Sequence, residues 1–437
     1  APQSPDRFHV VRRRPRTGYS RRITLERCPP GARFFAGLLI NMKLLVLTPA
    51  PTPYRDPFWA EVARQPGVEL LVCYLTRQSR DRPWQVTWPR DFPYRELTGI
   101  NLLHWRGPTE ACYWNPEVRR LVRPDKCHAL ILGGYNHPTL LWAIIRARRL
   151  RIPFFVMSES HLRNPRARWK SAIKRPLLRW IVRNAAGLFP TGRLAQEYFE
   201  HYGALPEQCD RIPNVPDVVQ LMQFTEEQLA RRTAIRSELG FGTQRVILFV
   251  GRLIPKKGVQ TLIQACSQLP KDIDHRLVIV GHGTFQLELE KLARTLGVAE
   301  RVQFVGFVQP EELPKWYLVA DVFVLPSSET WGVVAIEALA CGLPVILSDQ
   351  TGCRPDVIEP DEQPRSVFPF GDAAGLAQCL TAWLGDSRDR AALLSARKGL
   401  LRALTYGTLA EQLVQKIGPR KTWNNDRPGA LTTVPVA

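Results

Sequence analysis

Short apolar runs alternate with amphipathic stretches along most of the chain, and the alternation occurs in two series. The apolar runs of the first series predict strands at residues 43–48, 68–75, 129–132, 153–157 and 186–190. Those of the second predict strands at residues 246–250, 277–280, 302–307, 322–326 and 345–347. Helical patterns are found at residues 56–65, 138–149, 259–269, 310–319, 332–341, 372–385, 387–403 and 409–417, and one further helix ends at residue 296. Strands that alternate with helices indicate an α/β fold with parallel, doubly wound sheets.

A proline-containing linker separates the two series. Residues 211–218 read RIPNVPDV, and a polar helix is expected to begin near residue 225. The linker predicts a first domain over residues 42–215, a second over 216–404, a C-terminal helix that crosses back over 405–419, and a disordered tail over 420–437. We expect the strand ends of the two domains to face each other across a cleft, because ligands usually bind in such places.

The first 41 residues differ from the rest. They contain nine arginines against Asp6 and Glu26, and they show no periodicity. Met42 then opens the apolar run MKLLVL, which suits the first strand of an α/β domain. We therefore expect residues 1–41 to be a disordered leader or the product of a misassigned start. The alternative is a basic arm that contacts an acidic surface.

Composition narrows the class of protein. The chain has 437 residues, with 45% hydrophobic and 23% charged residues, and is therefore expected to be globular. Its nine cysteines are scattered, odd in number and without a CxxC pair. This argues against a disulfide framework or a zinc site and favours the reducing cytoplasm. No run of about 18 apolar residues predicts a membrane span.

The net charge of +20 is unevenly distributed. Residues 146–183 hold twelve basic residues against Glu159 alone, and residues 166–183 interleave basic residues with tryptophan, isoleucine and leucine. One interpretation is an amphipathic surface that meets anionic lipid, peripherally at the inner face of the plasma membrane. The alternative is that the apolar residues pack into the core. Nucleic acid is not an expected partner, because no groove-reading motif accompanies the charge.

Residues 327–342, SSETWGVVAIEALACG, hold the candidate chemistry. They connect two predicted strands through a loop and a helix, and the start of such a helix favours an anion such as a diphosphate. Glu329 and Glu337 bracket the turn. A carboxylate is a poor phosphate ligand and a good acceptor for sugar hydroxyls. The alternative is that Glu329 is a charge at the helix start and Glu337 a solvated helix residue, without a role in binding. Glu337 lies in an otherwise apolar helix, however, and a charge there is expected to have a partner.

Several motifs of the second half follow one another in a fixed order. They are Gly251-Arg252 with Lys257-Gly258, then Gly281-x-Gly283, Gly306, Glu329-x7-Glu337, and Ala340-x-Gly342-x-Pro344-Val345. Together they resemble the GT-B glycosyltransferases of family 4, the retaining group that includes glycogen synthase and mannosyltransferases. The match covers roughly residues 42–417 and is dense in the second half. The resemblance implies two Rossmann-like domains facing a cleft, a UDP- or GDP-linked sugar donor, retention at the anomeric carbon, and no bound metal or cofactor.

The resemblance also implies roles for individual residues. Arg252 and Lys257 would hold the diphosphate, and Glu337 would bind the ribose hydroxyls. The remaining nucleotide contacts would come from Gly251, Gly281, Gly283 and Phe307. The donor sugar and its phosphate would be held by Glu329, Thr330, Trp331, Gly332 and Val333. The chemistry supports these roles, because fixed cations stabilise the charge that develops on a leaving diphosphate.

The first domain departs from the family pattern. Many members carry a glycine-rich loop after the first strand, where this chain has residues 51–55, PTPYR. Many also carry a histidine near residue 159, where this chain has Glu159. Glu159 is therefore a catalytic candidate that would orient an acceptor or donor hydroxyl, and the alternative is a helix-capping role for residues 158–160. The acceptor-side candidates are Tyr54, Arg55, His137 and His161.

The expected function is transfer of a hexosyl unit from a nucleotide-diphosphate sugar to a saccharide or lipid-linked acceptor, as in polysaccharide or glycolipid biosynthesis. Two alternatives stay open. One is a GT-B enzyme that resembles nucleotide-sugar 2-epimerases, although the spacing of Glu329 and Glu337 favours a transferase. The other is a catalytically inactive module that binds a nucleotide or a membrane, which the unusual first loop allows.

Overall fold

A computed structural model describes residues 42–77, 90–103, 111–163, 168–385 and 389–418. The predictions for residues 1–41 and 420–437 lie outside these ranges. The described residues belong to one compact unit. They form two α/β domains, each built around a six-stranded parallel sheet. The predicted fold class is therefore confirmed.

The first sheet has the strand order β3-β2-β1-β6-β7-β8. The elements of this domain, in chain order, are β1 (Met42–Thr48), α1 (Asp56–Ala63), β2 (Val68–Tyr74), β3 (Tyr94–Glu96), β4 (Ile100–Asn101), β5 (Tyr113–Trp114), β6 (Ala129–Leu132), α2 (Pro138–Arg149), β7 (Phe154–Ser158), α3 (Arg168–Asn184), β8 (Gly187–Pro190) and α4 (Arg193–His201). Alternate residues of β1 face the two sides of the sheet: Leu44 and Val46 join one apolar cluster, and Leu45 and Leu47 join another. Both faces of the central strands are buried, which is why these parallel strands are largely apolar.

The second sheet repeats the plan with the order β11-β10-β9-β12-β13-β14. Its domain contains α5 (Val218–Gln228), α6 (Arg232–Glu238), β9 (Arg245–Val250), α7 (Val259–Ser267), β10 (His275–Val280), α8 (Gln286–Thr295), β11 (Val302–Gly306), α9 (Leu313–Val319), β12 (Val322–Leu325), α10 (Val333–Ala340), β13 (Val345–Ser348), α11 (Arg354–Val357), α12 (Gln363–Ser366), β14 (Val367–Phe368), α13 (Ala373–Leu384), α14 (Arg390–Ala396) and α15 (Lys398–Ala403). In both sheets the order reverses beside the first strand, and ligands bind at such a switch point in doubly wound folds.

All ten predicted strands are present, with ends shifted by no more than two residues. The predicted helix start near residue 225 is wrong, because α5 begins at Val218. Asp217 precedes it and accepts a hydrogen bond from the Gln220 amide, 3.0 Å away, so a capping residue starts the helix seven residues early. The helix expected over 387–403 is divided between α14 and α15 in the described residues.

The last helix, α16 (Tyr406–Ile417), packs against α1 of the first domain. The Tyr406 hydroxyl donates to the Val215 carbonyl at 3.2 Å, and the Lys416 ammonium donates to the Glu207 carbonyl at 2.7 Å. Lys416 also forms an ion pair with Asp210. The chain therefore returns to the first domain after the second is complete. None of the helices in the described ranges has both the length and the apolar character that crossing a bilayer needs.

Candidate active site

Three loops at the carboxyl ends of β9, β10 and β12 are joined by backbone hydrogen bonds. The Leu253 amide donates to the His282 carbonyl at 3.0 Å, and the Phe285 amide donates to the Leu253 carbonyl at 3.1 Å. The Ser328 amide donates to the Lys256 carbonyl at 3.0 Å. Residues 251–258, 281–283 and 327–332 are therefore neighbours in space. The structure brings together the motifs that the sequence shows only in order.

The predicted glycines Gly251, Gly281 and Gly283 have a packing reason in this arrangement. A Cβ atom on Gly281 would lie 1.9 Å from the Gly251 carbonyl oxygen, and one on Gly283 would lie 2.1 Å from the Leu253 carbonyl oxygen. The Gly251 and Gly281 amides already donate to other backbone carbonyls. Loop packing thus accounts for these glycines without a ligand, and their nucleotide-binding role stays a prediction.

A partly buried ion pair lies at the centre of the joined loops. The Lys257 ammonium is 2.7 Å from one carboxylate oxygen of Glu329, and the Ser327 hydroxyl donates to the other at 2.5 Å. Burial acts to raise the pKa of Glu329, but the Lys257 charge and the hydrogen bonds from Lys257 and Ser327 outweigh it. The pKa of Glu329 is therefore below its ordinary value, and the carboxylate is ionised at neutral pH.

Arg252 lies in the same loop as Lys257 and is half-buried. Across from this loop, α10 begins after Gly332, and among the described residues no side chain caps its start. The first amides of a helix have no partner inside the helix. The loop that contains Thr330, Gly332 and Val333 therefore presents N–H groups beside a lysine, which is the arrangement an anionic ligand needs.

Glu337 and Phe307 are two further residues with a predicted nucleotide-binding role. The hydroxyl of Tyr317 on α9 donates to the Glu337 carboxylate at 2.6 Å, so the expected partner exists. Burial raises the pKa of Glu337 to about 7, against the lowering effect of that bond. Phe307 follows β11, is 46% exposed and contacts the His282 ring edge-on, with ring centroids 5.8 Å apart. Phe307 therefore offers an exposed aromatic ring next to residues 281–283.

The first domain reaches this loop through the segment after β7. The Thr330 hydroxyl donates to Glu159 at 3.0 Å, and the Asn214 side-chain amide donates to the other oxygen of Glu159. His161 is buried, and its Nε2 donates to the Glu329 carbonyl at 3.2 Å. Glu159 and His161 are therefore in direct contact with the predicted donor loop, residues 329–333, although they belong to the first domain.

Trp331 is part of the same junction. It is buried, and its indole N–H donates to the Asn214 carbonyl at 2.7 Å. Gly192 of the first domain lies so close that a Cβ atom on it would be 2.3 Å from the Trp331 ring. Beside it, the Asp356 carboxylate accepts from the Arg193 amide at 3.0 Å and from Arg211 at 3.3 Å. The two domains are thus closed on each other along this edge.

Tyr54 and Arg55 lie in the loop after β1. One Arg55 nitrogen donates to the Ile212 carbonyl at 3.1 Å, and burial lowers the pKa of this guanidinium to about 10 against the opposing charge of Glu159. The pKa of Tyr317 is raised well above its ordinary value, first by burial and then by Glu337, with Tyr54 contributing. The loop therefore borders both Glu159 and the Glu337 region.

His137 does not join this group by any contact of the described residues. It is buried, its Nδ1 accepts from the Tyr113 amide at 3.2 Å, and its ring packs on that of Tyr113. Burial lowers the pKa of His137 to about 4. The ring is neutral at physiological pH and is satisfied within the first domain, which favours a structural role.

Sequence reasoning missed three residues of the site: Ser327, Tyr317 and Asn214. Ser327 lies inside the recognised motif but reads as an ordinary loop serine. Tyr317 lies in a helix without any motif. Asn214 lies in RIPNVPDV, which we interpret only as a linker. An asparagine between two prolines is a weak signal, because the same pattern is typical of any turn.

Two parallel sheets of the same order, with ligand-type loops closed against each other at their strand ends, define the GT-B class of fold. Residues 42–215 match the model of the glycosyl transferase 4-like domain, and residues 231–398 match the model of glycosyl transferases group 1. The chain therefore belongs to the GT-B glycosyltransferases of the family 4 type.

Curated relatives match over part of their length. A D-inositol 3-phosphate glycosyltransferase of Xylanimonas cellulosilytica is 35% identical over 229 residues, which is 50% of this chain and 53% of the relative. A GDP-mannose-dependent alpha-(1-6)-phosphatidylinositol monomannoside mannosyltransferase of Mycolicibacterium smegmatis is 30% identical over 220 residues, which is 48% and 57%. The chain thus spans about half the length of these relatives.

Solved structures share the fold at low sequence identity. Anabaena Alr3699/HepE in complex with UDP superposes with a TM-score of 0.66 at 20% identity, covering 86% of this chain and 99% of that one. The sucrose-phosphate synthase of Thermosynechococcus elongatus gives a TM-score of 0.59 at 20% identity, covering 85% and 98%. Both sheets are therefore arranged as in known GT-B proteins.

Proposed function

We propose that the chain transfers a hexosyl unit from a UDP- or GDP-linked sugar to a saccharide or lipid-linked acceptor, with retention at the anomeric carbon and without a metal. The observation that carries the proposal is the Lys257–Glu329 pair at the uncapped start of α10. A cation, a hydroxyl acceptor and a row of amides converge there. These are the groups that a sugar diphosphate requires.

Breaking the glycosyl–phosphate bond leaves both bonding electrons on the diphosphate, which gains negative charge. Lys257, Arg252 and the first amides of α10 would stabilise that charge more strongly in the transition state than in the ground state. These fixed cations would supply what a divalent metal supplies elsewhere. Chelation by EDTA should therefore leave the transfer rate unchanged.

The carboxylates would read hydroxyl groups. Glu329 is ionised and held by Lys257 and Ser327, so it can accept from a sugar hydroxyl without moving. Glu337, held by Tyr317, would accept from the ribose. On the first-domain side, Glu159 would orient a hydroxyl of the acceptor or of the donor sugar.

The comparisons support more than one donor. HepE has been solved with UDP and with UDP-glucose, whereas the mannosyltransferase relatives are named as GDP-mannose-dependent. The test is a thermal-shift screen with UDP, GDP and ADP sugars, followed by mass spectrometry of products with saccharide and lipid acceptors. Transfer with a retained anomer would support the proposal. Binding without transfer or hydrolysis would indicate an inactive module, and conversion of the free sugar nucleotide would indicate an epimerase.

The exposed face of α3 supports a peripheral position at the cytoplasmic face of the plasma membrane, where a lipid-linked acceptor is found. Arg175, Arg179 and Arg183 are exposed there, together with Leu177 at 40% and Trp180 at 38%. Leu178, Ile181 and Val182 on the other face are buried. The helix is thus both packed and amphipathic, and its solvent face combines basic and apolar side chains, as interfacial helices do.

The membrane part is tested by flotation with vesicles that contain anionic lipid. Binding should weaken with salt, and the double change Arg175→Glu with Arg179→Glu should abolish it, because each basic residue adds about 1 kcal/mol near such a surface. Lys291→Glu with Arg294→Glu on α8 is the matched control, since it makes the same charge change on an exposed face of the second domain. Equal effects of the two pairs would leave only non-specific charge attraction.

A further inference from the structure

Asn214 links three parts of the molecule although it lies in the linker between the domains. Its side-chain amide donates to Glu159 of the first domain, and its carbonyl accepts the indole N–H of Trp331 of the second at 2.7 Å. Glu159 in turn accepts from the Thr330 hydroxyl at 3.0 Å. A closed ring of contacts thus joins the linker, the segment after β7 and the donor loop.

The orientation of the Asn214 side-chain amide is determined by its contact with Glu159. A carboxylate oxygen accepts hydrogen bonds, and the NH2 group of the amide faces Glu159. The amide oxygen, Oδ1, is buried and accepts no hydrogen bond among the described residues. A buried polar atom is normally satisfied, and leaving one unsatisfied costs free energy. The Asn214 side chain thus keeps its hydrogen bond to Glu159 although its own oxygen stays unsatisfied.

The ring exists only when the domains are closed. Glu159 follows a strand of the first sheet and Trp331 a strand of the second, and Asn214 bonds to both residues from the linker between the domains. A hinge movement that separated the sheets would break at least one of its bonds. Asn214 therefore bonds to both domains only in the closed arrangement, beside the groups of both domains that we propose to bind the donor.

We propose that Asn214 is a positioning residue for the transfer reaction, which holds Glu159 against the donor loop when the two domains close. The inference rests on the proposed function, because the reaction gives Glu159 its task. Asn214 itself acts through Glu159 and Trp331. It should therefore affect the rate of the closed complex more than the binding of the donor.

The test compares Asn214→Asp with the wild-type protein. The substitution keeps the shape of the side chain and places a carboxylate against Glu159, so the ring should open. We expect kcat to fall about 100-fold, as for a misplaced reactive group, while the donor KM changes less than about threefold. Asn184→Asp is the matched control, because it makes the same change where Asn184 accepts from Arg148 at 2.9 Å, and it should leave kcat unchanged.

Rescue separates positioning from a fold defect. In the double variant Asn214→Asp with Glu159→Gln, an amide again faces a carboxylate with the roles exchanged. The double variant should therefore close as the wild-type protein does, whereas its kcat should stay low because it lacks the Glu159 carboxylate. An unchanged kcat in Asn214→Asp, or a loss confined to the donor KM, would overturn the proposal.

Small-angle scattering gives a readout that does not depend on transfer. With nucleotide added, Asn214→Asp should have a larger radius of gyration than the wild-type protein, and the double variant should return to the wild-type value. A wild-type protein that binds nucleotide but transfers nothing would refute the proposed function, and the scattering comparison would still decide whether Asn214 holds the domains closed. Identical radii for all three proteins would refute that role.

Discussion

Two carboxylates of one motif have pKa values displaced in opposite directions. Both are partly buried, and loss of solvation by itself raises the pKa of a carboxyl group. Glu329 is compensated by Lys257 and Ser327, and its pKa falls. Glu337 has only the Tyr317 hydroxyl, and its pKa is raised to about 7. At neutral pH the first is a fixed charge, and the second is shared between its charged and neutral forms.

The raised pKa of Glu337 predicts a pH dependence of stability. The folded carboxyl holds its proton up to about pH 7, and the unfolded one releases it near 4.5. Its contribution to the free energy of unfolding is complete below pH 4.5 and is lost as the pH rises through 7. Glu337→Gln keeps an acceptor for Tyr317 and removes the titration. The variant should gain about 3 kcal/mol relative to the wild-type protein between pH 4 and pH 8, since one pKa unit corresponds to about 1.4 kcal/mol.

Urea unfolding at pH 4, 6 and 8 measures this difference. Glu362→Gln is unsuitable as a control, because one nitrogen of buried Arg397 donates to both Glu362 carboxylate oxygens at 2.9 Å. Glu311→Gln is suitable, since that side chain is exposed. If the curves of Glu337→Gln and the wild-type protein run parallel over the whole pH range, Glu337 is ionised in the fold and the assigned pKa is wrong.

At the residue scale, the sequence shows which residues are candidates for a function better than it shows which side chains they contact. Glu329, Glu337 and Lys257 are recognisable because their spacing belongs to a motif. That Lys257 binds Glu329, 72 positions later, follows only from the adjacency of β9 and β12. Asn214 carries no signal of its own, because its role depends on two side chains from different domains.

At the element scale, apolar runs locate strands well and helix ends less well. Strands buried on both faces are apolar throughout, so their limits are visible in the sequence. The predicted start of α5 is wrong, because Asp217 caps the helix within a stretch rich in proline. The basic segment is a helix that continues through Pro176, although a proline removes one backbone donor. Burial of Leu178, Ile181 and Val182 holds that helix against the core.

The packing of α16 on the first domain predicts a cost for shortening one side chain. Leu413 is fully buried in this helix. Leu413→Ala should lower the free energy of unfolding by about 2–5 kcal/mol, through lost burial and the cavity that remains. Glu411→Ala on the exposed face of the same helix is the matched control, with an expected change within about 0.5 kcal/mol. Denaturant unfolding measures both. Equal effects would mean that α16 does not pack as described.

At the scale of the whole molecule, two sheets with one plan are joined by a linker and a returning helix. Their contact edge consists of loops that carry the candidate chemistry, so closure and site assembly are one event. Arg163 donates to the Asp349 carbonyl at 3.1 Å across this edge, in addition to the contacts of Trp331 and Asp356. A change that prevents closure should therefore reduce turnover even when each domain keeps its fold.

Gly192→Ala tests this coupling. The added methyl group would lie 2.3 Å from the Trp331 ring and 2.6 Å from an Asp356 carboxylate oxygen, so one of them must move. We expect turnover to fall at least about tenfold, because a displacement of reactive groups by about 1 Å costs that much or more. The radius of gyration with nucleotide should increase.

Gly399→Ala is the control for this substitution. It adds the same methyl group in α15, where nothing lies within 4 Å, and should stabilise the helix by about 0.5–1 kcal/mol without affecting turnover. Wild-type turnover in Gly192→Ala would show that the contact of Gly192 with Trp331 is not needed for the reaction.

The binding of a diphosphate beside Glu329 is tested most directly by calorimetric titration of Lys257→Met with UDP, GDP and the corresponding monophosphates. Lys256→Met is the matched control, because Lys256 is the exposed neighbour of Lys257 in the same turn. Charge-assisted hydrogen bonds of about 1.5–3 kcal/mol predict that Lys257→Met loses about 10- to 150-fold of its affinity for the preferred diphosphate. Its affinity for the monophosphate should stay within about threefold, and Lys256→Met should bind as the wild-type protein does. Unchanged diphosphate affinity in Lys257→Met, or equal losses for both nucleotides, would contradict the account.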